Sequence, residues 1–243
     1  MVRGHPDYGV SSEISTVSKV LDMGELAARL GSVNVYERSG NVVFIDGFEG
    51  TLTPYLPGGN GTGWDVTLNT VYTMMGAQSC RLKAGSDGGK SASIMKRVKP
   101  IALTLTGFEI SFSTHDNIEY AHLMIQHNTG TIMRRMGIKY DIPNDKIYIY
   151  EDPATWTLLD SHAFNGNEPN LFQTTKLVVD LENLTYVRFF LDDQLWDISS
   201  YTPDDSVNVS DKRFEYSFTC HSNAGSNGIM YVDNFIITIN EPI

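Results

Sequence analysis

The sequence predicts an all-β fold: a two-sheet antiparallel sandwich preceded by a short N-terminal arm that carries one small helix. Three observations predict it. From residue 33 onward, short runs rich in β-branched and aromatic residues are separated by Gly, Asn and Asp clusters, the spacing of a sandwich. Helical periodicity is confined to one stretch near the start. The last run, Ile229 to Ile239, is apolar on both parities, as a central strand covered on two faces must be. No repeat of 20 to 50 residues is visible, which argues against propellers and solenoids.

In chain order, Ser11 to Val20 is polar with scattered apolar residues and has no core of its own. Asp22 with Glu25 reads as a helix N-cap and its capping-box partner. Leu21 and Leu26 occupy hydrophobic-staple positions, and Gly31 supplies the stop, so a helix is expected over 23–30. A helix that short is marginal alone in water, so it must dock, either on the chain's own sandwich or on a neighbouring subunit. Leu21, Leu26 and Leu30 are its candidate assembly residues. Val33 to Tyr36 and Asn41 to Ile45 flank Glu37-Arg-Ser-Gly40 as a hairpin. Further strands are expected at 64–68, 79–84, 91–97, 101–114, 119–127, 131–139, 146–151, 155–164, 173–181, 185–191, 194–198, 213–221 and 229–239. Turns punctuate them at 57–63, 85–89, 192–193 and 222–228. Residues 1–41 thus form the arm and first hairpin strand, and 42–243 the sandwich.

A chain of 243 residues is long enough for one sandwich domain with a sizeable core. With 41% hydrophobic and 19% charged residues it is a globular composition. Its formal charge of −11 repels phosphate backbones and argues against nucleic-acid binding. No stretch has the apolar length of a membrane-spanning helix, and the first residues lack the apolar core of a secretory signal. Cys80 and Cys220 each share parity with apolar neighbours and read as buried free thiols, the alternative being a bridge that joins their two strands. Asp233 interrupts the final apolar run on the face of Tyr231 and Phe235. A carboxylate buried there needs a cation, an Arg or Lys, or backbone donors.

Three segments, Phe44-Ile-Asp-Gly-Phe-Glu-Gly50, Gly76-Ala-Gln-Ser-Cys-Arg-Leu82 and Tyr231-Val-Asp-Asn-Phe-Ile236, resemble carbohydrate-binding modules and lectin or glucanase-like domains of the concanavalin-type jelly roll. Lys176 to Asp180 followed by Tyr186 to Asp192 is similar to paired strands of laminin-G-like domains. The resemblance spans about residues 42 to 240 and implies a jelly roll. It also implies a structural calcium, with Glu49 and Asp233 as ligands and Asp46 or carbonyls near Gly76 completing the oxygen shell. The alternative is that these carboxylates cap backbone amides or pair with Lys83 or Arg81.

Glucanases of this fold carry Glu-x-Asp-x-x-Glu, and this sequence has no such run. Glu109, Glu119, Glu151, Asp152, Asp192 and Asp193 form no pair at strand-alternate spacing, so glycoside hydrolysis lacks its two carboxylates. His115, His122 and His127 do not share one strand parity, which makes a three-His metal site geometrically poor; surface or satisfied core histidines are expected. Of the aromatics, Trp156 beside a turn and Tyr72 are candidates for stacking on a sugar ring, while Trp64 matches a position that is core in similar modules. A glycan-binding type of sandwich normally works outside cells, yet the sequence shows no export signal and carries an arm that must dock. By its similarity to phage structural proteins with jelly-roll domains and anchoring arms, a non-enzymatic virion surface protein is expected, a capsid decoration protein or a tail or fibre adhesin. Its partners would be copies of itself or other virion proteins, and a cell-surface glycan. The alternatives are a carbohydrate-binding module of a secreted, extracellular system, and a glycoside hydrolase or lyase.

Overall fold

The computed structural model describes residues 40–242 except 88, 100–102, 165, 208–210 and 224. The expected helix over 23–30, the strand over 33–36 and the assembly residues Leu21, Leu26 and Leu30 lie outside the described residues. In chain order the strands are β1 (Asn41–Asp46), β2 (Leu56–Gly59), β3 (Asp65–Asn69), β4 (Ser79–Lys83), β5 (Ser91–Val98), β6 (Leu105–Asp116), β7 (Ile118–Asn128) and β8 (Ile132–Asp141). There follow β9 (Lys146–Glu151), β10 (Thr155–Ser161), β11 (Gln173–Asp180), β12 (Thr185–Leu191), β13 (Gln194–Asp197), β14 (Asp204–Val207), β15 (Arg213–Ser222) and β16 (Ile229–Ile239).

They form two antiparallel sheets stacked as a sandwich. The first runs β13-β12-β11-β6-β16-β4-β3, with β1 also on β16; the second runs β10-β9-β8-β7-β15-β5-β2, with β14 also on β8. Period-two alternation gives each sheet one apolar inner face. Phe108, Ile110 and Phe112 of β6 and Leu177 and Val179 of β11 are buried from one side, Leu123 and Ile125 of β7 and Phe218 of β15 from the other. Each such side chain contributes about 1.5–3 kcal/mol on burial. The Phe112 ring meets Tyr140 at 5.0 Å and Phe218 at 5.4 Å. The phenol of Tyr140 reaches Thr175 Oγ1 at 2.7 Å, joining β8 to β11 through the core. Cys80 and Cys220 are buried and free.

Three sequence expectations need correction. β2 overlaps the Gly-rich run read as a turn at 57–63. As an edge strand it pairs with β5 through its backbone, so Pro57, Gly58 and Gly59 do not prevent it. β14 is a polar edge strand that the sequence did not predict, and it pairs Asp204 with Arg135 of β8. Finally, Tyr231 and Phe235 do not share a face. The ladder from β16 to β6 shifts register between Asp233 and Ile236, and Asn234 takes φ 52°. Such a bulge resets the parity, so Phe235 joins the core while Tyr231 faces away from it with Tyr72 and His115.

Candidate functional site

The outer face of the second sheet carries the most developed chemical surface. Alternation in β7 turns Ala121, Leu123 and Ile125 into the core, which leaves Tyr120, His122 and Met124 outside. Register then aligns these with their neighbours. One row crosses Ser93, Thr219, His122, Lys139, Tyr148 and Leu158 from β5 to β10. Beside it, Ser91, His221 and Tyr120 face one another on β5, β15 and β7. On the other side, Met95, Ser217, Met124 and Gly137 align, and Tyr150 pairs with Trp156 across β9 and β10.

The rings of these rows form a continuous aromatic track. Tyr120 stacks on His221 at 4.1 Å, His221 lies 5.2 Å from His122, His122 6.2 Å from Trp156, and Trp156 4.8 Å from Tyr150. The Lys139 ammonium stands 4.2 Å from the Tyr148 ring centre, 5.5 Å from that of Trp156 and 5.7 Å from that of Tyr120. Tyr120, His122, Lys139, Tyr148, Trp156 and His221 are all partly exposed, while Met124, Tyr150, Ser217 and Thr219 beneath and between them are buried. Gly137 makes room at the centre, since a Cβ there would lie 2.1 Å from Met124 Sδ.

The seam below this track is closed by a residue of the opposite sheet. Tyr186 of β12 donates its hydroxyl to the Tyr150 carbonyl at 2.6 Å and accepts the Gly137 amide at 2.8 Å. The arginines of the face are neutralised locally. Arg135 binds Asp204 at 2.6 Å, and Glu215 accepts from Arg97 at 3.0 Å and Arg213 at 2.7 Å. Burial holds the His122 imidazole far below its usual pKa, at about 3, helped by nearby His221 and Lys139; burial also lowers His221, against its contact with the Gly89 carbonyl. Both rings are therefore neutral at neutral pH, and His122 Nδ1 and His221 Nε2 are buried atoms with no hydrogen-bond partner among the described residues. The surface can stack on flat apolar faces and offer the partly exposed Ser91 and Ser93 hydroxyls and one cation to polar groups between them. Its acidic neighbours Glu215 and Asp204 are occupied by arginine.

Trp156 lies on this track, whereas Tyr72 lies on the outer side of the other sheet, 5.6 Å from His115 and 4.9 Å from Tyr231. The structure does not bring the two sequence candidates together. Sequence reasoning missed Tyr120, His122, Lys139, Tyr148, Tyr150 and His221. Their signal was parity: in Lys146-Ile-Tyr-Ile-Tyr-Glu the tyrosines alternate with the core isoleucines. Trp64, expected in the core, is 40% exposed and packs across Gly59. His115, His122 and His127 are separated as expected; His115 and His122 are partly exposed, whereas His127 is buried and its Nδ1 has no partner among the described residues.

Two of the three carboxylates considered for calcium, Glu49 and Asp233, converge on the 74–78 loop. Asp233 Oδ2 accepts the amides of Met74 and Met75 at 3.1 and 3.2 Å, and Oδ1 accepts that of Asn234 at 2.8 Å. Glu49 Oε1 accepts Ala77 at 2.8 Å and Gln78 at 3.2 Å, and Asp46 Oδ1 accepts Phe48 at 2.8 Å. The groups facing Glu49 and Asp233 are thus N–H donors, where a calcium shell needs oxygens. Among the described residues no three His, Cys, Asp or Glu side chains are gathered to hold a metal ion. Arg81 is paired with Asp65 at 3.0 Å.

No protein-family model matches the chain, and no curated protein matches it in sequence. Solved structures share its fold. A carbohydrate esterase of the Shiga toxin-encoding bacteriophage phi24B aligns with a TM-score of 0.55 at 13% identity, covering 84% of this chain and 100% of that one. An endo-β-1,4-glucuronan lyase from the fungus Trichoderma reesei aligns at 0.52 and 9% identity, covering 82% and 96%. The carbohydrate recognition domain of Emp46p aligns at 0.50 and 10% identity, covering 81% and 95%. At these identities the likeness is one of fold, a two-sheet antiparallel jelly-roll sandwich.

Proposed function

We propose that the protein is a non-enzymatic glycan-binding sandwich that holds a sugar chain along the outer face of its second sheet. The observation that carries this reading is the track from Tyr120 through His221, His122 and Trp156 to Tyr150. Sugar rings present flat C–H faces that stack on aromatic side chains, and their hydroxyls need the polar partners that the partly exposed Ser91 and Ser93 hydroxyls and the Lys139 ammonium supply. The fold's solved relatives named above are a carbohydrate esterase, a polysaccharide lyase and a carbohydrate recognition domain by their own descriptions, which favours a glycan over other ligands. A binding rather than a hydrolytic role is favoured because Glu215 and Asp204 are committed to arginines.

The finer setting we propose is the surface of a virion, as a capsid decoration protein or a tail or fibre adhesin. Support comes from the sequence reading of the N-terminal segment as a docking arm. Detection of the chain in purified particles tests that setting, and recovery only as a free monomer contradicts it. Glycan-array binding tests the activity. Trp156→Ala should weaken the best glycan about tenfold or more while leaving the melting temperature near that of the parent. Unchanged binding by that variant, or release of reducing sugar from a bound polysaccharide by the parent protein, contradicts the reading.

A further inference from the structure

The track contains one charge that its surroundings leave unbalanced. Lys139 sits centrally in the row His122, Lys139, Tyr148, yet no carboxylate or hydrogen-bond acceptor meets its ammonium among the described residues, although Arg97, Arg135 and Arg213 on the same face each have a carboxylate. Its neighbours are instead the rings of Tyr148, Trp156 and Tyr120. An ammonium carries three donors, and ring faces offset part of its lost hydration without accepting a full hydrogen bond. The cost shows in its acidity, which burial raises against the more distant pull of Asp141 and Glu119. The flanking imidazoles are neutral, so this cation is not diluted by titrating neighbours.

Resting on the glycan reading above, we propose that the ligand is an acidic glycan whose carboxylate or sulfate is received by Lys139 while an adjacent sugar ring lies against Trp156 and Tyr148. The chain carries a formal charge of −11, so its general field repels polyanions. Selection for an acidic chain therefore has to come from a local, partly dehydrated cation of this kind. Coulomb attraction across a few ångströms in such a setting corresponds to about tenfold or more in affinity.

The test compares polymers that differ only in charge: polygalacturonate against its methyl ester, and dextran sulfate against dextran, by affinity electrophoresis or calorimetry. The expected result is at least about tenfold tighter binding of one acidic polymer than of its neutral counterpart. Lys139→Gln should erase that difference, Lys139→Arg should keep it, and added salt should weaken the acidic polymer selectively. Whichever acidic polymer binds identifies carboxylate or sulfate as the anion. Equal binding of acid and neutral forms, with both lost in Trp156→Ala, overturns this inference and leaves the glycan reading standing. So does a preference for acid that survives Lys139→Gln. If the array and all four polymers give no binding, both readings fall.

Discussion

Tyr186 shows how one atom supports the site from the opposite sheet. Its hydroxyl completes both the Gly137 amide and the Tyr150 carbonyl at the place where β8 exchanges its partner β9 for β14. Tyr186→Phe strands a buried donor and a buried acceptor, so it should cost about 1–3 kcal/mol in urea denaturation and accelerate hydrogen exchange at Gly137. An unchanged Gly137 exchange rate would remove Tyr186 from this role. Asp233 makes a different demand. Burial pushes its pKa up to about 6, against three amide hydrogen bonds. A carboxyl raised in the folded state contributes stability below its unfolded value, near 4, that is lost as pH rises through about 6. Burial of neutral His122 and His221 acts oppositely, because their folded pKa values are lowered and their stabilisation is lost as pH falls below about 6.5. The difference between parent and Asp233→Asn isolates the first contribution. It should shift by about 2 kcal/mol in the variant's favour between pH 4 and pH 7, and a pH-independent difference would contradict the assignment. The sequence foresaw that Asp233 needs a partner, and backbone amides are that partner. It could not foresee where Asp233 points, since an Asn at positive φ leaves no mark on an apolar run.

At the scale of elements, the strands legible in the sequence are those whose own side chains are sorted by burial. β7, β8, β11, β12, β15 and β16 each alternate or run apolar, and their spans follow the hydrophobic pattern closely. β2 and β14 form for another reason. Their neighbours offer unpaired backbone edges, and a four-residue segment with Pro and Gly or with two aspartates can fill such an edge without burying an apolar side chain of its own. The same distinction explains the 74–78 loop. Nothing in Met74-Met-Gly-Ala-Gln78 dictates its path, which is drawn by Glu49 and Asp233 from two other segments. Gly76, at φ 72°, is needed because a Cβ would collide with Glu49 Oε1. On the outer face of the first sheet, Glu241 accepts Lys176 at 2.8 Å and Arg188 at 3.1 Å. Of these charges from β11, β12 and the C-terminal segment, Lys176 and Glu241 are buried and Arg188 is partly so. Removing one member would leave the others undercompensated.

For the molecule as a whole, fold and site differ in what encodes them. The sandwich follows from parity summed over many residues, so its two layers could be read from one sequence. The site follows from register, which sets His221 beside Tyr120 and His122 beside Lys139 although these residues come from β7, β8 and β15. A one-residue slip in any of these ladders would send every ring of that strand into the core. Of the residues of the track, only Trp156 was singled out from the sequence for sugar stacking, because it stands beside a turn. Tyr72, the other aromatic so named, lies on the other sheet, which makes the two aromatic clusters rival locations for a ligand. The most direct measurement is NMR mapping of the protein titrated with oligogalacturonate and, separately, its methyl ester. The account predicts shifts at the Trp156 indole and the His122 and His221 imidazoles, larger for the acid. Shifts centred on Tyr72, His115 and Tyr231, or none with any sugar that the protein binds, would contradict it.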